Sequence, residues 1–545
     1  MQTIVDAFLS HAARTPDGVA WRTMDGATLS WAQWAELSQQ VAGALVASGV
    51  RPGDHVAVLA GNSMVWPIAD MGTLLAGAVS VGLYPTSSPA QVAEVLRDCG
   101  ARVVIVDDDA QCAKVKAVRG QLDALELLVG WGGVGAPATP WNAWLATARP
   151  TTPVLRAPDE DAVLIYTSGS TGTPKGARIS HRCLVETARS IAEVLSLTSA
   201  DTSLSYLPFC HAAERMFGYA TRVWLGMEAM LVDDASRVFD AAAVYHPTIF
   251  GGLPRFFEKA LEKFEAALLL PGTDAERAQR TRAVRASLFG TRLRLATSGG
   301  APLPELVGTA LDAFGVRVLG AYGQTEHLCV AMHRPDRLNF TSVGLPMPGT
   351  ELRIADDGEV LVKRGPLTFS GYFGREDETR EAFTADGAWL KTGDLGDVDA
   401  DGFLRITGRK KELLVLSTGK KVAPLPIEAA LSAGPWIEHA MLYGEGRSFI
   451  SALFTVREAP LRLLAEREGL PWSRTDLLAH DAVRGAVQAW VTQVNAALSR
   501  HEQVKQWVLV PGPFTVAGGD LTPTMKLKRH EVSARYASLL DHLYE

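Results

Sequence analysis

The sequence predicts an α/β fold, with a large N-terminal domain of stacked α/β subdomains and a small α+β domain at the C-terminus. The chain has 545 residues, which is too long for one ordinary domain core. Short apolar runs alternate with helical patterns through most of the sequence before Gly408, which is typical of parallel strands joined by helices. After Gly408 this alternation ends. We therefore place the domains at residues 1–408 and 409–545.

The first α/β units are indicated by a helix and two strands. A helix is predicted to begin after Ser30, because apolar residues then recur at a spacing near 3.6 until Gly49. The short apolar runs 55–60 and 102–108 predict strands, and segment 90–98 predicts a helix between them. Such an order predicts parallel strands with helical crossovers.

The same alternation returns in the segments 162–170, 248–264 and 293–315, each of which joins an apolar run to a loop or helix. The C-terminal part has a different pattern of shorter elements. Its predicted strands lie within 406–417, 448–456 and 507–514, and its predicted helices at 425–433, 457–468 and 480–500.

Composition and charge exclude several classes of protein. The net charge is -7 and the basic residues are dispersed, so we expect no nucleic-acid partner. The five cysteines are far apart and never form a CxxC pair, which fits neither a disulfide scaffold nor a zinc site and indicates a reducing, cytoplasmic location. The apolar segment 68–83 is shorter than a spanning helix, so we interpret it as a buried helix.

The segment 166–176, YTSGSTGTPKG, is predicted to be a phosphate-binding loop. Its three glycines allow backbone N–H groups to converge on phosphate oxygens, while its hydroxyls and the Lys175 ammonium add donors. A flexible Ser/Gly linker is the alternative, although the loop directly follows a buried-type strand. The spacing is not that of a Walker A loop. The candidate nucleotide-binding residues here are Thr167, Ser168, Gly169, Ser170, Thr171, Gly172, Thr173 and Lys175.

Six further motifs follow this loop in order, and together they carry a family resemblance. They are SGGAPL at 298–303, GAYGQTE at 320–326, KTGDLG at 391–396, GRKKEL at 408–413, GKKVAPLPIE at 419–428 and LTPTMKLKR at 521–529. With the loop, this series resembles the superfamily of adenylate-forming enzymes, which includes acyl-CoA synthetases, adenylation domains of nonribosomal peptide synthetases, and luciferases. The resemblance covers nearly the whole chain.

The resemblance implies roles for residues that bind ATP. Adenylation brings a carboxylate against the α-phosphate, and two anions repel, so the site must supply cations and oriented donors. Glu326 would hold Mg²⁺ as both a catalytic and a metal-binding residue. The other implied nucleotide contacts are Thr325 to phosphate, Tyr322 and Gly323 beside adenine, Gly299, Gly300 and Ala301 at the adenine edge, Asp394 on the ribose hydroxyls and Arg409 supporting the same sugar.

The same resemblance implies two lysines of the small domain. Lys526 would reach the reacting carboxylate and α-phosphate as the catalytic lysine, with Arg529 three residues later. Lys528 is the rival assignment, and a solvated basic tail is the alternative. Lys411 would lie at the hinge about which the small domain rotates.

Segment 207–218, LPFCHAAERMFG, bears on the substrate. It lacks the aspartate that amino-acid-activating relatives use to bind an amine, so an acid with an apolar body is favoured. The segment resembles the LPxxHxxER form of long-chain fatty acyl-CoA synthetases, which makes His211 a catalytic candidate. Phe217, Tyr219 and Trp224 could supply an apolar wall.

The predicted function is therefore ATP-dependent activation of a medium- to long-chain fatty acid and its transfer to coenzyme A. The cofactors implied by the resemblance are ATP, Mg²⁺ and coenzyme A as co-substrate, and the partners are small molecules. Loading of a carrier protein is the alternative, and peripheral contact with a membrane is left open.

Overall fold

The computed structural model describes residues 2–168, 174–515, 518–522 and 527–545. In this part of the chain the strands are β1 (Val19–Thr23), β2 (Thr28–Ser30), β3 (His55–Leu59), β4 (Val79–Leu83), β5 (Val103–Val106), β6 (Leu127–Gly130), β7 (Thr139–Pro140), β8 (Asp161–Ser168), β9 (Pro174–Ser180), β10 (Thr202–Ser205), β11 (Glu228–Leu231), β12 (Ile249–Gly252), β13 (Leu295–Ser298), β14 (Val318–Gln324), β15 (His327–Met332), β16 (Leu345–Pro346), β17 (Leu352–Ile354), β18 (Glu359–Lys363), β19 (Gly371–Tyr372), β20 (Trp389–Val398), β21 (Leu404–Arg409), β22 (Leu414–Val415), β23 (Lys421–Val422), β24 (Ile437–Tyr443), β25 (Ile450–Val456) and β26 (Val504–Leu509).

The α-helices of the described residues are α1 (Ile4–Arg14), α2 (Trp31–Ala47), α3 (Val65–Leu75), α4 (Pro89–Cys99), α5 (Asp109–Val118), α6 (Trp141–Leu145), α7 (His181–Leu195), α8 (Thr221–Leu225), α9 (Val238–Tyr245), α10 (Pro254–Leu269), α11 (Asp274–Phe289), α12 (Glu305–Ala313), α13 (Glu376–Ala382), α14 (Pro424–Ser432), α15 (Glu458–Glu468), α16 (Arg474–Leu478), α17 (Asp481–Asn495), α18 (Arg529–Arg535) and α19 (Ala537–His542). Residues Glu214–Ala220 form a π-helix directly before α8.

Two large sheets carry most of the N-terminal part. One has the order β16-β15-β14-β13-β12-β10-β11-β1-β2, and the other β19-β9-β8-β4-β3-β5-β6-β7. The strands in the middle of each sheet pair in parallel, as the alternating pattern predicted. The mixed α/β architecture confirms the predicted fold class.

The largest hydrophobic core contains residues of both sheets and of the helices α1, α2, α3, α7 and α8. Helix α2 begins after Ser30, as the sequence predicted, with a capping box at its N-terminus. The Ser30 side chain accepts from the backbone N–H of Gln33, and the Gln33 side chain accepts from the backbone N–H of Ser30. Trp31 and Trp34 on this helix are almost fully buried. Parallel sheets are covered on both faces by such amphipathic helices.

The structure corrects the interpretation of segment 68–83. Helix α3 ends at Leu75, Gly77 has a φ of +72°, and β4 begins at Val79. The second half of the segment is therefore a buried strand and not helix. A continuous apolar run cannot distinguish a buried helix from a buried parallel strand by periodicity.

A second difference concerns residues 352–409, which, except for Arg409, lie within the domain predicted to consist of α/β subdomains. They form an antiparallel sheet of β17, β18, β20 and β21. Strand β9 lies between the predicted phosphate loop and α7, so this loop connects two antiparallel strands.

Residues from 414 onward have hydrophobic clusters of their own, built on β24, β25, β26 and the helices that pack against them. The helices predicted at 425–433, 457–468 and 480–500 are present as α14, α15 and α17, and the short α16 was not predicted. The domain boundary near Arg409 stays a prediction. Among the described residues, no helix is both long and apolar enough to cross a membrane.

Candidate active site

The candidate site lies where several parallel strands of the first large sheet end. Strands β12, β13 and β14 are neighbours, with Gly252 opposite Ser298 and Ser298 opposite Gly320. Their carboxyl ends lead directly into the SGG and YGQTE motifs, and ligands of α/β sheets bind at this edge. The site is completed by β19 and by the antiparallel sheet, which contribute Tyr372, Asp394 and Arg409.

Asp394 is the centre of a group of polar side chains. It is 3% exposed, the Tyr322 hydroxyl donates to its Oδ2 at 2.6 Å, and the Arg409 Nε donates to its Oδ1 at 2.9 Å. Asp394 and Arg409 face each other on adjacent strands β20 and β21. Burial and the carboxylate raise the pKa of the Tyr322 phenol well above its ordinary value. Burial alone would lower the pKa of Arg409, but Asp394 keeps it raised.

This geometry leaves Asp394 with acceptor capacity for a ligand. Each carboxylate oxygen accepts one hydrogen bond from the protein, and a carboxylate oxygen has two acceptor sites. Two adjacent hydroxyl donors, such as those of a ribose, fit the remaining pair. The backbone at Asp394 is also fixed. Its N–H donates to Thr392 Oγ1, and the N–H of Gly393 donates to Glu359 Oε1.

Thr325 and Glu326 form the two-residue turn between β14 and β15, since Gln324 pairs with His327. The turn presents the Glu326 carboxylate, and the Tyr372 hydroxyl donates to its Oε1 at 2.5 Å. Among the described residues, none donates a hydrogen bond to the second carboxylate oxygen, which is therefore able to bind a cation. Mg²⁺ prefers one or two carboxylate oxygens together with substrate phosphates, so this residue fits the ion that the resemblance implies.

Lys175 lies on β9, opposite Thr167 on β8, at the base of the predicted phosphate loop. Its ammonium lies 5.5 Å from the centre of the Tyr372 ring and 4.0 Å from Glu378 Oε1. Tyr372 therefore contacts both Lys175 and Glu326. Ser168 ends β8, whereas Gly169, Ser170, Thr171, Gly172 and Thr173 lie outside the described residues.

Gly299, Gly300 and Ala301 follow β13 and leave the backbone accessible. Gly300 has a φ of +80°, and a Cβ at this position would lie 3.1 Å from the Leu253 side chain. A Cβ on Gly299 would approach the Ala321 carbonyl oxygen to 3.2 Å. Small residues are therefore needed where this turn passes the end of β14.

His211 lies in the loop between β10 and the π-helix, where it is half-buried. Its Nδ1 accepts from the backbone N–H of Ala213 at 3.2 Å, and its carbonyl oxygen accepts from the N–H of Arg215. Of the aromatic residues predicted to form an apolar wall, Tyr219 is buried against Trp21, Trp34 and Phe209, and Phe217 and Trp224 are partly buried.

The predicted hinge adjoins the Asp394 group. Lys411 is exposed in a short 3₁₀ turn, and its neighbour Lys410 donates to Glu359 at 2.8 Å. The same Glu359 carboxylate accepts from the Gly393 N–H. It therefore connects the predicted hinge to the turn that carries Asp394, the predicted ribose-binding residue. Gly323 lies beside Tyr322 at the exposed end of β14.

Lys526 lies outside the described residues. Leu521 and Leu527 on either side of its segment form a β-bridge, and the Lys528 N–H donates to the Asp520 carbonyl at 2.8 Å. Arg529 donates to Leu442 O at 2.9 Å and Glu428 at 2.8 Å within the small domain. Its side chain therefore has a role in the fold of that domain.

Two protein families match most of the chain, including most of the motifs that surround this site. Residues 8–373 match the AMP-binding enzyme family, and residues 411–545 match the AMP-binding enzyme C-terminal domain. The chain belongs to the AMP-binding enzyme family. The match confirms the resemblance to adenylate-forming enzymes.

Two relatives and one solved structure illustrate the similarity of this AMP-binding enzyme to characterised proteins. Long-chain-fatty-acid-CoA ligase FadD15 of Mycobacterium bovis is 35% identical over 98% of this chain and 96% of its own length. Long-chain-fatty-acid-CoA ligase ACSBG1 of Mus musculus is 29% identical over 95% of this chain and 82% of its own length. The anthranilate CoA ligase AuaEII, solved with anthranoyl-AMP, has a TM-score of 0.82 at 24% identity, covering 99% of this chain and 98% of that one, and supports the fold.

The sequence did not indicate two residues of this AMP-binding enzyme that the structure brings to the site. Tyr372 reaches Glu326 and Lys175 because β19 pairs with β9, with Tyr372 opposite Ala177. Glu359 reaches Gly393 and Lys410 because β18 pairs with β20. A Gly-Tyr pair or a single glutamate in a strand carries no local signal, so strand pairing alone could reveal them.

Proposed function

We propose that the protein activates a medium- to long-chain fatty acid with ATP and then transfers the acyl group to coenzyme A. In the first step a carboxylate oxygen attacks the α-phosphorus, and pyrophosphate leaves. In the second step the thiol sulfur of CoA attacks the acyl carbon, its proton passes to solvent, and AMP leaves. The observation that carries the proposal is the match, over 98% of this chain, to a relative named long-chain-fatty-acid-CoA ligase.

The site residues support the first step by holding the nucleotide. Asp394 would accept from the ribose hydroxyls while Arg409 and Tyr322 fix its orientation, and the small residues 299–301 would admit the adenine edge. Glu326 would hold Mg²⁺, which neutralises phosphate charge when bound. Lys175 adds a cation beside this carboxylate, on the other side of Tyr372. Lys526 would stabilise the charge that develops on the α-phosphate.

The substrate class follows from the charges near His211. Glu214 is the acidic side chain of segment 207–218, and its carboxylate is buried and accepts from Ser205. It therefore does not supply the partner that a substrate ammonium would need, and leaving such a charge unpaired is costly. A plain fatty acid avoids this cost.

The proposal is tested by pyrophosphate release with a panel of acids, with and without CoA. Fatty acids of medium or long chain should drive release, amino acids should not, and CoA should yield a thioester with stoichiometric AMP. Release with an amino acid would contradict the substrate class. Acyl transfer to a holo carrier protein without any transfer to CoA would favour the carrier-protein alternative, which the relatives do not favour.

A further inference from the structure

The loop 206–213, which carries His211, crosses from one large sheet to the other. It leaves the carboxyl end of β10, and its Leu207 carbonyl accepts from the Asn62 side chain, which follows β3 of the second sheet. A Cβ on Gly82 of β4 would lie 2.7 Å from the Cβ of Cys210. The loop therefore lies where the carboxyl edges of both sheets meet.

Glu214 closes the base of this loop. It follows the loop in the chain, but its carboxylate contacts residues at the beginning of the loop. The Ser205 hydroxyl donates to Oε1 at 2.5 Å, and the Leu207 backbone N–H donates to the same carboxylate. Glu214 is 4% exposed. One side chain thus joins the two ends of the loop that holds His211.

The buried Arg222 guanidinium acts on the charge of Glu214. The Arg222 guanidinium is 1% exposed, donates to Ser203 at 3.3 Å, and lies 4.4 Å from the Trp21 ring. Burial raises the pKa of the Glu214 carboxyl to about 7, although Arg222 opposes the shift. Burying a charged group without such partners would be strongly unfavourable.

Gly218 provides the space that Glu214 occupies. A Cβ on this residue would lie 1.8 Å from Glu214 Oε1, so any larger residue would displace the carboxylate. Both residues belong to the π-helix, a conformation that occurs mostly as short segments and frequently at functional sites. The next residue, Arg215, donates to Asp70 at 2.7 Å and to Ser80, and so fixes the same turn to the second sheet.

We propose that Glu214 is a positioning residue, which acts by holding the His211 loop at the junction of the two sheets where the fatty acid binds. The inference rests on the proposed function, since it takes His211 to face the acid. The carboxylate does not touch the substrate itself, because it is enclosed by Ser205, Leu207 and Gly218.

Three substitutions disturb this contact in different ways. Glu214→Gln keeps the shape but removes the charge and replaces one acceptor oxygen by an NH₂ group, Ser205→Ala removes one donor, and Gly218→Ala displaces the carboxylate without removing its charge. Each should raise the KM for the fatty acid in pyrophosphate release by about tenfold, with the KM for ATP changed less than about twofold. Glu228→Gln, which disrupts the Arg22–Glu228 pair on strands outside the site, is the matched control and should change neither.

The decisive measurement repeats Glu214→Gln in a His211→Ala background. If Glu214 acts through His211, the second substitution should add less than about twofold once His211 is absent. An equal loss in both backgrounds, or a parallel rise in both KM values with a fall in Tm, overturns the proposal. Ser205→Ala removes a single hydroxyl and supplies the same test should Glu214→Gln fail to fold.

The wild-type protein separates this proposal from the proposed function. If the wild type releases pyrophosphate with a fatty acid but Glu214→Gln and Gly218→Ala behave like the wild type, the positioning role alone is wrong. If the wild type releases none with any fatty acid, the proposed function is wrong.

Discussion

At the scale of single residues, the two acidic groups of the site differ in how much the protein already binds them. Asp394 is buried and accepts from Tyr322 and Arg409, whereas Glu326 lies on a turn and accepts from one hydroxyl of the described residues around it. The first is therefore pre-oriented for neutral hydroxyl donors. The second has an oxygen that the proposed Mg²⁺ would bind.

The role of Glu326 predicts an altered response to magnesium. Glu326→Ala should depress adenylation by about 10²-fold and raise the Mg²⁺ concentration needed for half-maximal pyrophosphate release. Tyr372→Phe removes the hydroxyl that donates to the carboxylate but keeps the carboxylate, so its Mg²⁺ requirement should change much less. An unchanged Mg²⁺ dependence in Glu326→Ala would remove Glu326 from the metal site.

Two buried histidines predict a loss of stability in acid. Burial lowers the pKa of His181 and of His327 to about 4, from an ordinary 6.5. Between these values the unfolded chain binds a proton that the folded chain does not. Stability should therefore rise with pH across this window by up to about 1.4 kcal/mol per pH unit for each histidine, and be lost as the pH falls through it.

Urea midpoints at about pH 7.5 and about pH 5.5 measure this dependence. His327→Gln should reduce the difference between the two midpoints. His542→Gln, which changes an exposed histidine, should leave the difference as in the wild type. Equal pH dependence in all three proteins would show that His327 is protonated in the folded state.

At the scale of elements, two short segments of the small domain are predicted to serve different half-reactions. Lys526→Ala should lower acyl-adenylate formation by about 10²-fold or more, yet convert supplied acyl-AMP and CoA to acyl-CoA at near the wild-type rate. Lys411→Pro should show the reverse defect, because proline stiffens the hinge between β21 and β22. Separate assays of the two half-reactions measure both.

Lys528→Ala decides between the two candidate lysines. If Lys528→Ala abolishes adenylation while Lys526→Ala does not, the assignment in TPTMKLKR is shifted by two residues. If neither change affects adenylation, the catalytic lysine lies elsewhere.

At the scale of the whole molecule, helix α10 of the large domain is joined to the small domain by ion pairs. Arg255 donates to Glu438 at 2.8 Å, Arg457 donates to Glu262 at 2.8 Å, and Arg457 also lies 3.6 Å from Glu258. These pairs are partly exposed, and each such pair is worth about 0.2 to 1 kcal/mol. They stabilise this one orientation of the two domains.

Removing the two shorter pairs should increase the population of other orientations, although Glu258 still pairs with Arg457. The double change Glu438→Gln and Glu262→Gln should broaden the distribution of distances between spin labels on the two domains, whereas Asp377→Asn, which breaks a pair within the large domain, should not. A distribution identical to the wild type would mean that apolar contacts and the hinge set the orientation.

The sequence by itself determined the fold class, the family and much of the order of elements. The helix after Ser30 and the strands around 55–60 and 102–108 depend on local periodicity and capping, which neighbouring residues decide. Motifs identified by resemblance placed Asp394, Arg409 and Glu326 in one proposed site, because their spacing along the chain is visible without a structure.

Only the tertiary structure decided which strands pair and which side chains meet. The strand β4 was hidden in a continuous apolar run, and Tyr372 and Glu359 reach the site through pairings with residues far away in the chain. Glu214 is a similar case, because the contact of its carboxylate with Ser205 buries it, and no local pattern shows that contact. Contacts between residues distant in sequence depend on packing, which no local pattern encodes.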